Sequence, residues 1–499
     1  MRTTLTASDA GTGRCVDVLL ELSPHDLVAS LDIALRRLLP DAGPGLWLSG
    51  APLDERSTLL QARVQTGCTL VLGGPAEPSS VPTSSGSGVE LHVVGGPDAG
   101  RLLLLPFGEV LVGSDPAATV VLADREVAPE HLRLLVSPAG VVAEATAPDT
   151  RLDSAALDAP AALSSGQLLT LGHSLLAVVP HERADAATNA SDDLGLKVNR
   201  PPRIRPAEPV TTVELPREPP LASARKLPVV PLLVPVVLGV VMALVSSPLF
   251  LLFTLMSPLI AFSTWVSDRR SGRTAAARAG AEHAVALAAA RQRAGQACVA
   301  ETVRRRADCP DPAVLLRAAT GPGHRLWERR RGDDDALLLR VGTGPGRARA
   351  VRLTGDGAPG QPPSLTDVPI VLPLRELGVL GLAGPPATTR ALGRWLVGQA
   401  AVLHSPRDLM VILLVDPAAA PAEPDWGWLR WLPHVAPYDG QDCTALIGDG
   451  TESLSARVLE LTALVKHVPG RPSTYGLSSR RAACGTCWWC SMEPVGCGT

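Results

Sequence analysis

The chain has 499 residues, enough for several domains, and its formal net charge of −3 excludes nucleic-acid binding through bulk positive charge. Hydrophobic residues make up 46% of it, and because only three lysines occur, nearly all of its 46 basic residues are arginine. Five of the nine cysteines are scattered before residue 468, which excludes a disulfide framework there and predicts a reducing compartment.

Residues 1–75 are predicted to form a small α+β domain. They begin "MRTTLTASDAGTG", which has no apolar run and so predicts no signal peptide. "RCVDVLLEL" alternates as a strand does, and Ser23 then precedes a run with helical apolar spacing. "LWLSGAPLDERSTLLQARVQTGCTLVLGG" predicts a strand, a turn, a short helix and a final strand. This order resembles a ubiquitin-like β-grasp, and another small α+β domain is the alternative.

Residues 76–88 have the composition of a flexible linker, and residues 89–180 are predicted to form an all-β sandwich. Many short alternating runs, separated by turn residues, indicate this architecture. The stretch "VLVGSDPAATVVLADREVAPEHLRLLV" resembles a forkhead-associated (FHA) domain. In that family one strand ends in Gly-Arg and Ser-x-x-His precedes another, and the arginine and serine hold a phosphothreonine.

The sequence departs from the FHA motif at the positions that bind phosphate. Gly113 and His131 match the motif, but Ser114 replaces the arginine and Ala128 replaces the serine. A phosphate needs a fixed guanidinium and hydroxyl donors to replace its water. We therefore expect an FHA-like docking domain in which Gly113, Ser114 and His131 mark the former phosphopeptide face. Phosphothreonine binding by a membrane-tethered adaptor is the alternative.

Residues 227–266 contain no charged side chain and follow a proline-rich linker at residues 181–224. One bilayer span needs roughly 20 apolar residues, so the run predicts a two-helix transmembrane hairpin with spans at 227–245 and 248–266. Basic residues flank both ends, which places both termini in the cytoplasm. These features predict a two-span plasma-membrane protein with the lipid bilayer as a partner. A buried helical hairpin of a soluble protein is the alternative.

Residues 268–330 are predicted to form a helical stalk and residues 331–467 an α/β domain. "RLWERRRGDDDALLLRVGTGP", "PIVLPLRELGVLGLAGPPATTRALGRWLVGQAAVLHSPRDLMVILLVD" and "PDWGWLRWLPHVAP" carry a resemblance to one family. They resemble the membrane ATPases of type VII secretion systems, of the EccC/EssC type in the FtsK/SpoIIIE superfamily. The resemblance covers roughly residues 227–465.

The resemblance implies a function in protein secretion. In that family the stalk leads to a degenerate nucleotide-binding-like domain and then to motor domains that use ATP and magnesium. The motors move small helical substrate proteins, and the resemblance implies a homo-oligomer bound to other secretion-system membrane subunits. No motor domains are found in this sequence, so a truncated component is predicted. A DNA-translocating relative is the alternative, but no basic stripe beyond the stalk supports a nucleic-acid partner.

The α/β domain contains a degenerate nucleotide-binding loop. "GVLGLAGPP" predicts a buried strand, "ATTRALGRWLVGQAAVLH" a helix and "DLMVILLVD" a second buried strand that ends in Asp416. A working P-loop needs Gly-Lys-Ser/Thr at the turn. Here the turn holds Gly384, Thr388, Thr389 and Arg390, with two prolines and no lysine. No intact Walker A motif occurs in the chain, so we expect no bound cofactor and no ATP hydrolysis by this chain alone.

Three tryptophans, Trp426, Trp428 and Trp431, lie close together in "WGWLRW". Tryptophan is enriched at interaction hot spots, so the cluster predicts a partner-binding face. Packing at the edge of a domain is the alternative interpretation.

The last segment, residues 468–499, loses hydrophobic periodicity and turns to Cys, Trp, Gly, Ser and Arg. This change predicts an out-of-frame tail that is unrelated to the preceding family. The alternative is a zinc site, because four thiolates suffice for a tetrahedral ion. Its ligands would be Cys484, Cys487, Cys490 and Cys497.

Overall fold

The structure is a computed structural model. It describes residues 2–75, 87–181, 185–190, 194–205, 208–219, 250–321, 323–355, 358–416, 426–437, 441–466 and 486–492, with isolated residues between 233 and 244. The chain divides into two compact units. Unit 1 comprises Met1–Arg205, Arg306–Gly344 and Pro369–Thr499, and unit 2 comprises Pro206–Arg305 and Pro345–Val368.

The first part of unit 1 is a five-stranded sheet with one helix across it. The elements are β1 (Arg2–Asp9), β2 (Cys15–Glu21), α1 (Val28–Leu38), β3 (Leu46–Leu48), β4 (Ala51–Pro52) and β5 (Thr69–Leu72). The strand order is β2-β1-β5-β3-β4, with β1 and β5 parallel at the centre. Leu31 and Leu35 of α1 pack on Leu5 and Leu70 of the sheet. The arrangement is that of a β-grasp.

The second part of unit 1 is a sandwich of two antiparallel-rich sheets. Its strands are β6 (Val89–Gly95), β7 (Leu102–Leu104), β8 (Gly108–Gly113), β9 (Val120–Val121), β10 (Leu132–Ser137), β11 (Gly140–Ala145), β12 (Arg151–Leu152), β13 (Ala155–Ala156), β14 (Ala161–Leu163), β15 (Leu168–Leu171) and β16 (Ser174–Pro180). One sheet has the order β14-β11-β10-β8-β9 and the other β13-β12-β15-β16-β6-β7. Alternate residues such as Leu132, Leu134 and Val136 fill the core. The predicted FHA-like sandwich is therefore present.

The segment after the sandwich carries its own strands. β17 (Ala187–Ala190) and β18 (Leu196–Asn199) form an antiparallel hairpin. Between them Leu194 is buried in the β-grasp core, and its carbonyl accepts a hydrogen bond from the Thr66 N–H at 3.0 Å. This part of the predicted extended linker is thus fixed to the β-grasp by one apolar side chain.

Unit 2 is built on the long helix α2 (Phe250–Asp308). Beside it lies a small sheet of β19 (Thr211–Glu214), β21 (Val351–Gly355) and β22 (Ala358–Gln361), in which β19 and β21 are parallel. Ala290 and Ala294 of the helix pack on Val213. The buried Glu301 carboxylate of α2 accepts hydrogen bonds from the N–H groups of Arg349 and Ala350. These two residues directly precede β21, so the hydrogen bonds connect the start of β21 to the helix.

The predicted transmembrane hairpin is wrong for the part of the chain that the structure describes, where no helix is both long and apolar enough to cross a bilayer. Most of the span predicted at 227–245 lies outside the described residues. The span predicted at 248–266 overlaps the start of α2. The fold class and the two-span localisation inferred from the hairpin are corrected accordingly.

The rest of unit 1 is an α/β domain around one buried strand. Its elements are α3 (Pro312–Thr320), β20 (Leu338–Arg347), β23 (Ser364–Pro373), α4 (Leu374–Leu377), α5 (Pro386–Leu403), β24 (Leu409–Val415), β25 (Ile447–Gly448), α6 (Thr451–Lys466) and β26 (Thr486–Met492). All seven residues of β24 are buried. Leu396, Val397 and Ala400 of α5 pack on this strand. Residues 378–383, predicted to form a buried strand, have no strand conformation.

Candidate functional site

The first candidate site is the FHA-like face at the end of β8. Ser114 follows this strand, and its hydroxyl donates a hydrogen bond to the Val127 carbonyl at 2.8 Å. Its N–H donates to the Ala128 carbonyl at 3.0 Å. Gly113 is packed so closely under Pro129 that an added Cβ would lie 1.8 Å from the Pro129 oxygen. Ser114 therefore uses both of its donors to hold the neighbouring loop.

His131 holds the same loop from the inside. Its Nδ1 accepts a hydrogen bond from the Ala128 N–H at 3.0 Å, and the side chain is buried. Burial lowers the pKa of His131, although the charges of Asp124 and Asp149 oppose the shift. A buried, neutral imidazole cannot attract a phosphate through charge. The structure thus places His131 as a support for the turn.

The charges around this face are mostly negative. Asp115, Glu126 and Glu130 are exposed on the loops between Gly113 and His131, with Arg125 as the exposed cation of that stretch. Asp124 is buried; burial alone would raise its pKa, but hydrogen bonds from the Glu126 N–H, the Ser174 hydroxyl and the His173 N–H lower it. A phosphate dianion would meet like charge here, which opposes binding.

The second candidate site is the degenerate nucleotide loop before α5. Gly384 has φ +146° and is followed by Pro385, which precedes the helix and makes no side-chain cap. The Thr389 hydroxyl donates to the carbonyls of Pro385 and Pro386 at 3.2 and 3.1 Å. Thr388 is exposed. Phosphate binding at a helix N-terminus depends on free N–H groups, and proline supplies none.

Asp416 and Arg390 complete the predicted loop set. Asp416 directly follows β24, at the carboxyl end of the buried strand, and is half-buried. Arg390 is half-buried in the first turns of α5. Of the predicted strand–helix–strand unit, the structure has α5 and β24 but no strand at residues 378–383. The lysine that would bind phosphate is missing from the sequence.

The three tryptophans lie in and beside the core of the α/β domain. Trp426 is buried against Gly393 of α5, and its ring lies 6.5 Å from that of Trp428. Trp428 and Trp431 are half-buried on the 3-10 helix Gly427–Trp431. Trp426 thus packs the interior, and the accessible part of the predicted partner face is formed by the other two rings.

A buried charge cluster that was not predicted lies in the stretch "RLWERRRGDDDALLLR". The Arg329 guanidinium is fully buried and donates to the carbonyls of Leu338 at 2.6 Å and Asp308 at 2.9 Å. Its Nε lies 3.1 Å from Asp335 Oδ2. Arg203 and Arg205, in the proline-rich segment, donate to the same carboxylate at 2.7–3.0 Å. In the sequence, this cluster is indicated by a run of arginines that is followed by a run of aspartates and then by an apolar stretch.

A second unpredicted cluster joins the sandwich to the α/β domain. Glu90 of β6 is buried and forms an ion pair with Arg317 of α3. His92 Nε2 lies 3.0 Å from Glu90 Oε2, the oxygen that Arg317 also contacts, and His181 Nδ1 contacts Glu90 Oε1. Burial lowers the pKa of Arg317. Glu90 and Arg317 are more than two hundred residues apart in the sequence, so a local sequence pattern cannot predict their contact.

The tail places two of the four cysteines in a strand. Cys487 and Cys490 lie in β26, which pairs with β24, whereas Cys484 and Cys497 lie outside the described residues. The zinc alternative therefore stays a prediction, as does the out-of-frame origin of residues 468–499.

The first comparisons with known proteins concern the sandwich. Residues 92–182 match the family model described as "Inner membrane component of T3SS, cytoplasmic domain". Among solved structures, the cytoplasmic domain of the T3SS sorting platform protein PscD from P. aeruginosa is 27% identical. The match covers 24% of this chain and 99% of that chain, with a TM-score of 0.18.

The chain is also similar to ESX secretion proteins of Mycobacterium tuberculosis. It is 30% identical to the ESX-4 secretion system protein EccC4 over 141 residues, which are 25% of this chain and 11% of that protein. It is 34% identical to the ESX-1 secretion system protein EccCa1 over 106 residues, 21% of this chain and 13% of that protein. The match thus spans only a small part of these relatives. The predicted resemblance to EccC proteins of type VII secretion systems is confirmed.

Proposed function

We propose that the chain is a component of a type VII, ESX-like protein secretion machine and acts as a scaffold. The observation that carries this proposal is its sequence similarity to EccC4 and EccCa1. This similarity does not assign the activity of those much longer proteins to the present chain. In this scaffold the α/β domain binds other secretion subunits, and the sandwich and β-grasp are held beside it within unit 1.

Two features of the α/β domain support a scaffold over an ATPase. The turn at Gly384 lacks lysine, and Pro385 and Pro386 remove N–H donors at the place where phosphates bind. The charge cluster of Arg329 and Asp335 also ties the proline-rich segment to this domain through Arg203. A scaffold needs such fixed internal contacts, because they hold docking surfaces in a constant geometry.

The FHA-like sandwich serves this scaffold as a protein-docking domain that does not require phosphothreonine. The Ser114 hydroxyl and the His131 Nδ1 are both committed to the loop at residues 127–128. The exposed side chains nearby are mostly acidic. We therefore expect partners of this face to bind without a phosphate.

A complementation experiment tests the secretion proposal. The gene is deleted in its host, and small helical proteins exported to the medium are quantified by mass spectrometry. We expect their export to fall and to recover with the unaltered chain or with Arg330→Lys, whose side chain is exposed. Arg329→Met, which disrupts the buried cluster, should restore export poorly. Unchanged export in the deletion strain would refute the proposal.

A peptide titration separates docking from phosphothreonine recognition. Fluorescent phosphothreonine peptides and their unphosphorylated forms are titrated against the full chain by anisotropy. We expect equal, weak binding of both forms. Phosphate-dependent binding that is lost in Ser114→Ala would instead establish the adaptor alternative.

A further inference from the structure

Among the described residues, one strand pairs with the buried strand β24 along its whole length, and that strand is β26. On one side β25 pairs with β24 only at Leu413 and Leu414. On the other side β26 runs parallel to it along its whole length, from Leu409 opposite Thr486 to Val415 opposite Met492. The second edge of β24 is therefore a site for a parallel strand of about seven residues.

A second segment of the same chain has the sequence of such a strand and is left unpaired. Residues 378–383, "GVLGLA", are apolar, yet they have no regular secondary structure. Within this segment Val379 is 83% exposed and Leu382 is 37% exposed, whereas Leu380 packs against the core of the α/β domain. Contiguous exposed apolar surface is unfavourable in water unless another surface covers it. Val379 and Leu382 therefore leave part of this apolar segment uncovered in the present arrangement.

The connection between this segment and β24 suits a parallel pair. Residues 378–383 lead through Gly384 into α5, and α5 packs on β24 through Leu396 and Val397 before the chain enters that strand. A segment, a helix and a strand in this order form a βαβ unit, which places its two strands parallel in one sheet. Residues 378–383 could cover six of the seven positions of β24 that β26 now occupies.

We propose that residues 378–383 and the C-terminal strand β26 are alternative occupants of the same edge of β24. The structure shows the state with β26 bound. In the other state the first segment pairs with β24 and brings Gly384 to the carboxyl end of the sheet beside Asp416, because parallel strands end at one edge. The C-terminal strand thus controls whether the loop at Gly384–Arg390 joins that edge or remains exposed. This inference does not depend on the secretion proposal.

Hydrogen exchange measured by mass spectrometry on the full chain tests the exchange of strands. In the unaltered chain we expect slow exchange at residues 486–492 and fast exchange at 378–383. Proline is unfavourable within a paired strand, so Trp489→Pro disfavours the pairing of β26. In this variant we expect exchange at 378–383 to slow by about tenfold or more, while 409–415 keep their protection. Ser479→Pro, outside β26, is the control and should change neither segment.

A second substitution separates strand exchange from general unfolding. Val379→Asp is tolerated in an exposed segment but places a charge in a strand buried on both faces. Alone it should leave the exchange pattern unchanged. Combined with Trp489→Pro it should abolish the new protection at 378–383 and raise exchange at 409–415, whereas Val379→Thr should not. Fast exchange at 378–383 in Trp489→Pro, or slow exchange there in the unaltered chain, would overturn the proposal.

Discussion

At the scale of single residues, the stability of the α/β domain depends on polar groups that are fully enclosed. Arg329 neutralises Asp335 and donates to three backbone carbonyls, so its guanidinium replaces several hydrogen bonds to water at once. Lysine has the charge but not the planar arrangement of donors that these carbonyls require. The cluster therefore has a geometric requirement as well as an electrostatic one.

Replacement of Arg329 should weaken this domain strongly. We expect Arg329→Met to reduce its free energy of unfolding by about 3–5 kcal/mol, because buried Asp335 loses a partner and the Leu338 carbonyl loses its donor. Arg329→Lys should recover only part of this loss. Native-state hydrogen exchange at residues 337–340 and 409–415 measures the effect. The exposed Arg330→Lys is the control, and a similar loss there would contradict this explanation.

His404 should make the same domain sensitive to acid. Burial lowers its pKa from 6.5 to about 4, and its Nε2 accepts a hydrogen bond from the Leu337 N–H at 3.1 Å. The unfolded chain therefore binds a proton that the folded chain does not. The contribution of neutral His404 to the free energy of unfolding is fully present above about pH 6.5. As the pH falls toward 4, the free energy of unfolding decreases by about 3 kcal/mol through this group. Burial also lowers the pKa of His434, which acts in the same direction.

Thermal unfolding between pH 7.5 and pH 4.5 measures this dependence. We expect the unaltered chain to lose stability across that interval, and His404→Gln to be less stable at pH 7.5 but to change less with pH. His25→Gln, at an exposed position, should follow the unaltered chain. Equal pH slopes for His404→Gln and the unaltered chain would exclude His404 as the titrating group.

At the scale of elements, one ion pair joins β6 of the sandwich to α3 of the α/β domain. Glu90 is buried beside Arg317, His92 and His181, so its charge depends on these partners. We expect Arg317→Ala to destabilise this contact by about 3 kcal/mol, since it leaves a buried carboxylate with fewer partners. Faster hydrogen exchange in β6 and at residues 312–320 would report the loss.

A surface ion pair on the same sandwich provides the comparison. Arg133 lies 2.7 Å from Glu109, and their side chains are 42% and 59% exposed, in contrast to the buried Glu90. Arg133→Ala should therefore cost no more than about 1 kcal/mol. If Arg133→Ala and Arg317→Ala had equal effects, burial of Glu90 would not be the cause. Glu90→Gln combined with Arg317→Ala should be less destabilised than Arg317→Ala alone, because the unpaired charge is removed.

The elements themselves were largely predictable, and their contacts were not. Short alternating runs predicted the sandwich, and the apolar run "DLMVILLVD" predicted β24, because both patterns reflect burial of particular faces. The site residues Ser114 and His131 could be located from their motif. The pair of Glu90 and Arg317, and the burial of Leu194, depend on how distant segments meet, which local periodicity does not encode. The absence of charge at 227–266 indicated apolar character but did not determine its structure.

At the scale of the whole molecule, the given sequence lacks the lysine with which a P-loop binds phosphate. The chain has three lysines, Lys197, Lys226 and Lys466, and none follows a glycine. The turn at Gly384 also has prolines at the positions where a P-loop presents N–H groups. We therefore expect the purified full chain with ATP and magnesium to release phosphate no faster than the buffer does.

A variant of Asp416 distinguishes ATP hydrolysis by this chain from hydrolysis by a contaminating enzyme. Asp416 directly follows β24, where a functional nucleotide site would hold magnesium through a carboxylate. Because no lysine can bind the phosphates, Asp416→Asn should release phosphate at the same background rate as the unaltered chain. Glu452→Gln, at an exposed position in α6, is the control for preparation-dependent contamination. A rate that is lost in Asp416→Asn but retained in Glu452→Gln would show that this chain hydrolyses ATP after all, with another cation in place of lysine.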